Sequence, residues 1–515
     1  MYKILTIVFL FIATNTFSQI PEDAIRYTWY PQSGTARSQA IGGAIGSLGG
    51  DLTSNFVNPA GIGFYKTGEA TISANYLMNK QKITYKGLQQ NDDKKYFGLG
   101  TLGFVLAIPN ENVNSSSTKA VSVAFTQKAN FNNIIQYKGF NNSSSFVETF
   151  AEELASGLNL TDVLSTKSTS PYTVAPAYFS YLIDTATVGG KKVVRALTDK
   201  IIDAGRYLKQ EMNKTTNGGM YELAGTYAGS DGDKWFWGAT LGVPIINFES
   251  NIVYKETDTS TITSDEFKSF SFNDNYTTKG VGINGKFGLI YRPKEYIRIG
   301  LAVHTASYMS LDDERKSSIA SSLENPFKDT IINSSTFTNG QERGQASYIQ
   351  STPWKYILSA SYVFREVEDV TKQKGFISAD IEYVRHNRSR FSSNAKQPSE
   401  GDKAYYNQLS SVIKNIYKSN VNVRVGGEVK FNTIMARLGF GYYGSPYKET
   451  PNTANKMTFS GGIGYRNNGF FADLTYVHLV TNDFDVPYRL QNTLTEFASL
   501  KQQTGNIMAT IGVKF

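Results

Sequence analysis

Whatever chemistry this chain performs, it performs without sulfur nucleophiles. It has no cysteine, and its three histidines, His304, His386 and His478, lie far apart. That removes disulfides, thiolate metal sites, a cysteine nucleophile and a lipoprotein anchor. No GxSxG elbow, HExxH pair or Walker loop occurs. The glycine-rich GGAIGSLGG (42–50) lacks the preceding strand, the Lys-Ser/Thr pair and the βαβ setting of a nucleotide loop. Asp231-Gly232-Asp233 and Asp483-Phe484-Asp485 suit surface turns far better than calcium. No catalytic residue, metal ligand or cofactor is therefore assigned. What remains is charge at alternating positions: Lys286, Arg298, His304, Asp380, Glu382, Arg424, Glu428, Lys430, Arg437 and Asp473. Mixed signs suit cross-strand pairs that brace an interior. The functional alternative is a cation receiving a substrate carboxylate, with Arg298 and Arg437 foremost and Lys286 and His304 beside them. A guanidinium fork fits that task. An axial haem ligand would have to be a histidine or a tyrosine, though a lone histidine in an aromatic belt is more often a belt residue.

The elements that must position these residues are strands. Tyr and Phe number 32 each and Gly 45, charged residues make up 19%, and mean hydropathy is −0.31. Alternating strands with one lipid-facing and one water-facing row have that composition. Fourteen alternating segments follow one another: 68–79, 94–107, 118–131, 218–229, 234–254, 270–292, 296–309, 353–366, 374–388, 421–432, 434–444, 456–466, 468–480 and 504–515. In one, Val281, Ile283, Phe287, Leu289 and Tyr291 oppose Gly282, Asn284, Lys286, Gly288 and Arg292. Links after even segments are short, whereas 80–93, 132–217, 255–269, 310–352, 389–420, 445–455 and 481–503 are mostly longer. Short turns at one end and long loops at the other mark an outer-membrane barrel. After the N-terminus no apolar run is long enough for a membrane helix.

Residues 1–18 read as a signal peptide: Lys3, an apolar run over 4–13, and Thr16-Phe17-Ser18 before the cleavage point. Residues 19–67, with five glycines in 40–50 and NFVNPAGIG at 55–63, read as a compact, turn-rich segment too glycine-rich for a helix, tucked into the lumen of the 68–515 barrel. Within the 132–217 insertion, Phe146, Phe150, Leu154 and Leu158, then Val194, Leu197, Ile201 and Leu208, fall at helical spacing. Two amphipathic helices, over 146–164 and 193–212, would cap the extracellular mouth; a loop packed on itself is the alternative. The net charge of +8 is scattered, so no nucleic-acid partner is expected.

The ordered pieces QAIGGAIGSLGG (39–50), NPAG (58–61), TKGVGINGKFGLIYRP (278–293), IRIGLAVHT (297–305), RVGGEVKF (424–431), ARLGFGYYGSPY (436–447) and IGVKF (511–515) resemble the FadL/TodX-like outer-membrane transport proteins, in the branch common in Bacteroidetes. The resemblance implies an all-β fold: a 14-stranded antiparallel transmembrane β-barrel with an N-terminal lumenal hatch and a partly helical extracellular cap. The implied function is passive, hatch-gated passage of hydrophobic compounds, most of all long-chain fatty acids, released through an opening in the wall. A hemin or other hydrophobic-ligand receptor and a non-transporting structural or adhesive barrel are the alternatives. The hatch positions are Gly42, Gly43, Gly46, Gly49, Gly50, Asn58, Pro59, Ala60 and Gly61. Expected partners are hydrophobic small molecules, outer-membrane lipid and the barrel assembly machinery, for which Phe515 would be the signal.

Overall fold

The computed structural model describes residues 21–109, 117–188, 191–262, 265–324, 328–364, 374–448, 454–491, 493 and 496–515. The expected signal peptide and most of the 108–117 and 367–373 turns lie outside the described residues. The chain enters through two short helices, α1 (Asp23–Arg26) and α2 (Ala36–Ala40). Two 3-10 helices, Leu52–Phe56 and Pro59–Phe64, complete the segment that precedes the wall. The expectation of no helix there is corrected only to this extent: single turns form where Thr35, Asp51 and Asn58 supply side-chain caps.

The wall begins with β1 (Glu69–Tyr85) and β2 (Leu88–Ile108). Its third stave is β3 (Lys119–Asn130), continued after a kink by β4 (Asn133–Asn141). A hairpin of β5 (Ile183–Val188) and β6 (Lys191–Ala196) precedes three long staves, β7 (Leu208–Asp231), β8 (Trp235–Asp258) and β9 (Phe267–Lys294). β10 (Ile297–His304) with β11 (Tyr308–Leu323) forms the next, and β12 (Thr330–Asn333) adds a short strand to β11. β13 (Gly344–Ser351) with β14 (Lys355–Phe364), then β15 (Gly375–Arg385) with β16 (Arg390–Ser393), make two more. β17 (Ser419–Phe431), β18 (Ile434–Tyr443), β19 (Asn455–Asn467), β20 (Phe470–Asp485) and β21 (Ala498–Lys514) follow. β21 pairs with β1 from Glu69↔Lys514 to Thr84↔Ser499, closing fourteen antiparallel staves into a barrel. Closure leaves no free sheet edge for lipid to strand.

Alternation sorts the side chains as the sequence does. Val281, Ile283 and Phe287 face outward from β9, while Asn284 and Lys286 are buried inside. On β21, Ile507, Ile511 and Val513 form the outward row. An apolar outer surface of this extent is stable only against hydrocarbon.

The links 80–93, 310–352 and 389–420, expected as loops, hold regular structure. The 80–93 link is a tight hairpin in which Lys86 (φ 47°) and Gly87 (φ 79°) turn the chain and the ladder continues to Tyr85↔Leu88. Much of 310–352 is strand. The 389–420 link contains α7 (Glu400–Ile416), started by a reciprocal Ser399/Asp402 capping box and burying Tyr406, Leu409 and Ile413. In the insertion the first expected helix splits into α3 (Val147–Ala155) and α4 (Leu160–Val163), separated by Gly157 at φ 107°. The second expected helix, over 193–212, does not form. That stretch holds β6, the single turn α6 (Asp199–Asp203) after α5 (Val174–Phe179), and the start of β7. Gly205, at φ 66°, ends the turn, and Leu208 pairs into the wall. Its apolar spacing was helical, but backbone pairing with β8 outweighs the propensity of so short a run.

Candidate functional site

The lumen is filled by residues 21–67, the expected hatch. Gly42, Gly43, Gly49 and Gly50 all take left-handed backbone, with φ between 64° and 77°, a conformation that costs a β-carbon-bearing residue about 1 kcal/mol or more. Gly46 N–H donates to the Asp380 carboxylate at 3.1 Å. Asn58 accepts from Ala60 N–H at 3.1 Å and donates to Gly46 O at 2.6 Å, tying the two halves of the hatch together. Pro59 opens the second 3-10 helix, and Gly50 N–H donates to Gly61 O at 3.0 Å.

The wall yields room for this backbone through its own glycines. A β-carbon on Gly426 or Gly439 would collide with Ile41 or Gly42, one on Gly300 with Gly46, and ones on Gly288 and Gly238 with Asn58 and Pro59. Hatch backbone therefore lies directly on β17, β18, β10, β9 and β8. Wall hydroxyls complete the seam: Thr510 accepts from Ala36 N–H at 2.8 Å, and Thr475 donates to Ala36 O at 2.7 Å.

The four expected ligand-binding side chains are all engaged. Arg298 donates to Leu48 O at 2.7 Å and stacks over Phe64 at 4.9 Å. His304 Nε2 donates to Val57 O at 2.8 Å. Arg437 holds Glu428 at 2.6 Å and also Asp473. Lys286 bonds to Glu222 and, at 2.7 Å, to Asn284. Arg298 and His304 brace the hatch, while Arg437 and Lys286 lie in wall ion networks. Arg424, 1% exposed, likewise faces Glu382 at 3.1 Å and Asp380 at 3.6 Å. His386 is pinned between Thr28 and Asn420, at 3.1 Å each, and His478 lies outside beside Tyr476.

The two ends of the lumen differ. At the turn end Leu52, Phe56, Ile62 and Tyr65 pack against Val105, Ala124 and Ala228 of the wall. At the loop end, Phe150, Leu154, Val163, Val174 and Ile201 of the cap join Tyr254, Phe270, Phe272 and Leu500 of the wall in one apolar cluster. Phe146 stacks on Tyr254 with ring centroids 4.6 Å apart. Buried Glu256 anchors the cap, accepting from Phe146 N–H and Gln210 at 2.8 Å each, Tyr254 at 3.0 Å and Ser145 at 2.5 Å. Burial, with Asp199 beside it, pushes the Glu148 carboxyl on α3 up to about 7.

The resemblance implies an opening in the wall without placing it, and the strand pairing holds an interruption of the ladder between β2 and β3. β2 and β3 share a ladder only from Leu102↔Phe125 to Ile108↔Lys119. Beyond it β2 stays with β1 to Leu88↔Tyr85, while β3 and β4 follow β7. Side chains span the gap: the Thr101 and Thr126 hydroxyls at 2.8 Å, Asp92 to Gln136 N–H at 3.2 Å, and Lys94 to Asn217 at 3.1 Å. Asn133 accepts from Asn79 at 3.0 Å and from Gln81. At the kink Phe131 N–H donates to Gly218 O at 3.0 Å, and its ring meets Tyr27 of the hatch at 5.8 Å. Outside, Phe97 projects 85% exposed. Below the break, Ile72, Leu102, Phe104, Phe470, Ile511 and Val513 line an outward groove of about 480 Å³. The signals were the asparagines 130, 132 and 133 around Phe131 and the Gly218-Gly219 pair opposite, but such residues also mark ordinary turns.

No protein-family model matches the chain, and no curated protein matches it in sequence. Solved structures do match in fold. The Pseudomonas putida toluene transporter TodX is 12% identical with a TM-score of 0.54, over 94% of this chain and 99% of that one. A Pseudomonas aeruginosa FadL homologue is 13% identical with a TM-score of 0.52, over 94% of this chain and 98% of that one. At this identity the likeness establishes a FadL-like barrel fold along nearly the whole chain.

Proposed function

We propose that the protein is a passive outer-membrane channel for hydrophobic compounds, long-chain fatty acids foremost. In this reading it is exported through a cleaved signal peptide, its loop end faces outside and its turn end faces the periplasm. The observation that carries the proposal is the pairing of a filled lumen with an interrupted wall. A lumen occupied by hatch backbone passes no bulk water, whereas the β2–β3 break meets the outward apolar surface, where Phe97 and Leu99 stand exposed. Only a solute at home in hydrocarbon gains from such an exit, at about 0.8 kcal/mol for each methylene removed from water. The apolar cluster under the cap gives that solute a first landing place. The two fold neighbours fit this reading, one being described as a toluene transporter and the other as a FadL homologue.

The test is uptake of radiolabelled oleate and of toluene by cells lacking the protein, with and without its plasmid-borne copy. Restored uptake of oleate supports the fatty-acid reading, and restored uptake of toluene alone narrows the substrate to small hydrocarbons. Uptake of neither, with the barrel folded in the outer membrane, removes the transport function.

A further inference from the structure

The outward face of the wall changes character in steps along the closing seam, where β21 meets β1. Strand register fixes which outward residues stand side by side. One row runs Tyr476, Ile507, Tyr76, Phe97 across β20, β21, β1 and β2. The Tyr76 and Phe97 rings lie 4.7 Å apart, and an aromatic row on a barrel marks the border of the hydrocarbon. Two residues farther toward the loop end the row reads His478, Gly505, Met78, Lys95. Two farther again it reads Val480, Gln503, Lys80, Asp93. The next row is Asn482, Lys501, Lys82, Asn91, with Asn455 of β19 opposite Asn482.

Lys501 and Lys82 are therefore direct neighbours across the seam, with side chains rooted about 5 Å apart. Both are exposed, and among the described residues neither has an ion-pair partner. Like charges directly opposite one another destabilise the strand pair that carries them. Their own row offers amides and no carboxylate. Lys80 and Lys95 add charge on the same face, and Asp93 is the one acid in these rows. Four ammonium groups against one carboxylate leave three positive charges over. An anion is what this face lacks.

Height decides which molecule carries that anion. Strands rise about 3.3 Å per residue and tilt about 40°, so Lys82 and Lys501 stand roughly 15 Å beyond Tyr76 and Ile507. A phospholipid head group extends only about 5–7 Å past the hydrocarbon. A phosphate borne on a sugar head group reaches the lysines. A dissolved anion reaches them too, but has no acyl chain to lay on the apolar row beneath.

We propose that Lys82 and Lys501, flanked by Asn91 and Asn482, bind a phosphate on the sugar head group of an outer-leaflet glycolipid. Its acyl chains lie on the Tyr76, Ile507 and Phe97 row, and its charge relieves the repulsion at the strand pair that closes the barrel. The site needs the loop end to face outside, as in the reading above, and does not depend on what the lumen carries.

The test is lipid binding to the purified full-length barrel, titrated in detergent. The probes are rough-type lipopolysaccharide, the same material dephosphorylated with hydrofluoric acid, and dioleoylphosphatidylglycerol. Lys82→Gln/Lys501→Gln is compared with the wild type and with Lys255→Gln, which removes an exposed lysine from β8. The wild type and Lys255→Gln are expected to hold the phosphorylated glycolipid about tenfold or more tighter than the dephosphorylated one, as one charge-assisted hydrogen bond supplies. The double variant should bind both forms at the dephosphorylated level, and bind phosphatidylglycerol as the wild type does. Unchanged β-sheet circular dichroism establishes that each variant is folded. Equal wild-type affinity for the two glycolipid forms overturns the proposal and leaves the lysines a solvated rim. So does a preference that survives in the double variant, or one lost equally in Lys255→Gln, which marks general charge attraction. A parallel loss of phosphatidylglycerol assigns the face to ordinary phospholipid and overturns the proposal as well.

Discussion

The hatch is held in two different ways along its length. From Ala36 to Tyr65 its backbone lies on wall glycines, and main-chain groups bond to Thr510, Thr475, Asp380 and His304. From Asp23 to Tyr30 no wall glycine receives its backbone; wall side chains bond to the Asp23, Ala24 and Trp29 carbonyls, and its own side chains make the remaining contacts. Tyr27 rests on Phe131, Arg26 stacks over Phe248 at 3.9 Å, and Trp29 donates to Gly444 O at 3.0 Å beneath Lys456. Backbone seated on backbone has one fit and cannot yield by changing a rotamer. Aromatic side chains can re-pack. The first region thus depends on a single backbone fit, and the second, beside the wall break, on side-chain packing.

Gly439→Leu separates the two regions most strongly. Its side chain would occupy the place of Gly42, and a clash that no rotamer relieves costs on the order of 3 kcal/mol or more. The first region is expected to be expelled, giving stable ionic conductance in planar bilayers, whereas Tyr27→Ala should leave the barrel electrically closed. Arg424→Met comes next. It leaves Asp380 and Glu382 buried without their cation, a loss of about 3–5 kcal/mol, readable as a lower unfolding midpoint in urea. Glu256→Gln should cost roughly 1–3 kcal/mol and act only at the mouth, with faster amide exchange in α3 and no change at Gly46 or Asn58. The smallest expected effect is the pH dependence of the cap. Because the Glu148 carboxyl is raised to about 7, the folded cap favours its protonated form. Cap stability is then greatest below the ordinary glutamate pKa and falls as pH rises through 7. Exchange in α3, corrected for intrinsic rates, should quicken between pH 5 and pH 8, and Glu148→Gln should flatten that profile.

The barrel was legible because period-2 alternation is local. Val281 to Tyr291 state their two faces without reference to any neighbour, and the lumenal placing of Arg424, Asp473 and Lys286 follows from the same parity. The glycines of 40–50 were recognisable as hatch for a similar reason, since no packed helix tolerates so many. Register was not legible. The opposition of Lys82 to Lys501, the pairing of Arg437 with both Glu428 and Asp473, and the end of the β2–β3 ladder at Leu102 depend on which residues stand opposite one another. Parity and guanidinium chemistry single out Arg298 and Arg437, and neither can tell a guanidinium awaiting a ligand from one already bonded to the hatch or to its neighbours. Ser399 and Asp402 spell the capping box of α7, but a single buried stripe of Tyr406, Leu409 and Ile413 in a polar stretch is a weak helical signal inside a connection.

If the break between β2 and β4 is the way out, closing it must stop transport. With no native cysteine, Asp92→Cys and Gln136→Cys can be joined across the gap by a reducible bifunctional thiol reagent, and oleate uptake measured before and after reduction. Bridging should abolish most uptake and reduction should restore it, with both single-cysteine variants unaffected by the reagent. Full uptake through a completely bridged barrel would contradict the lateral route.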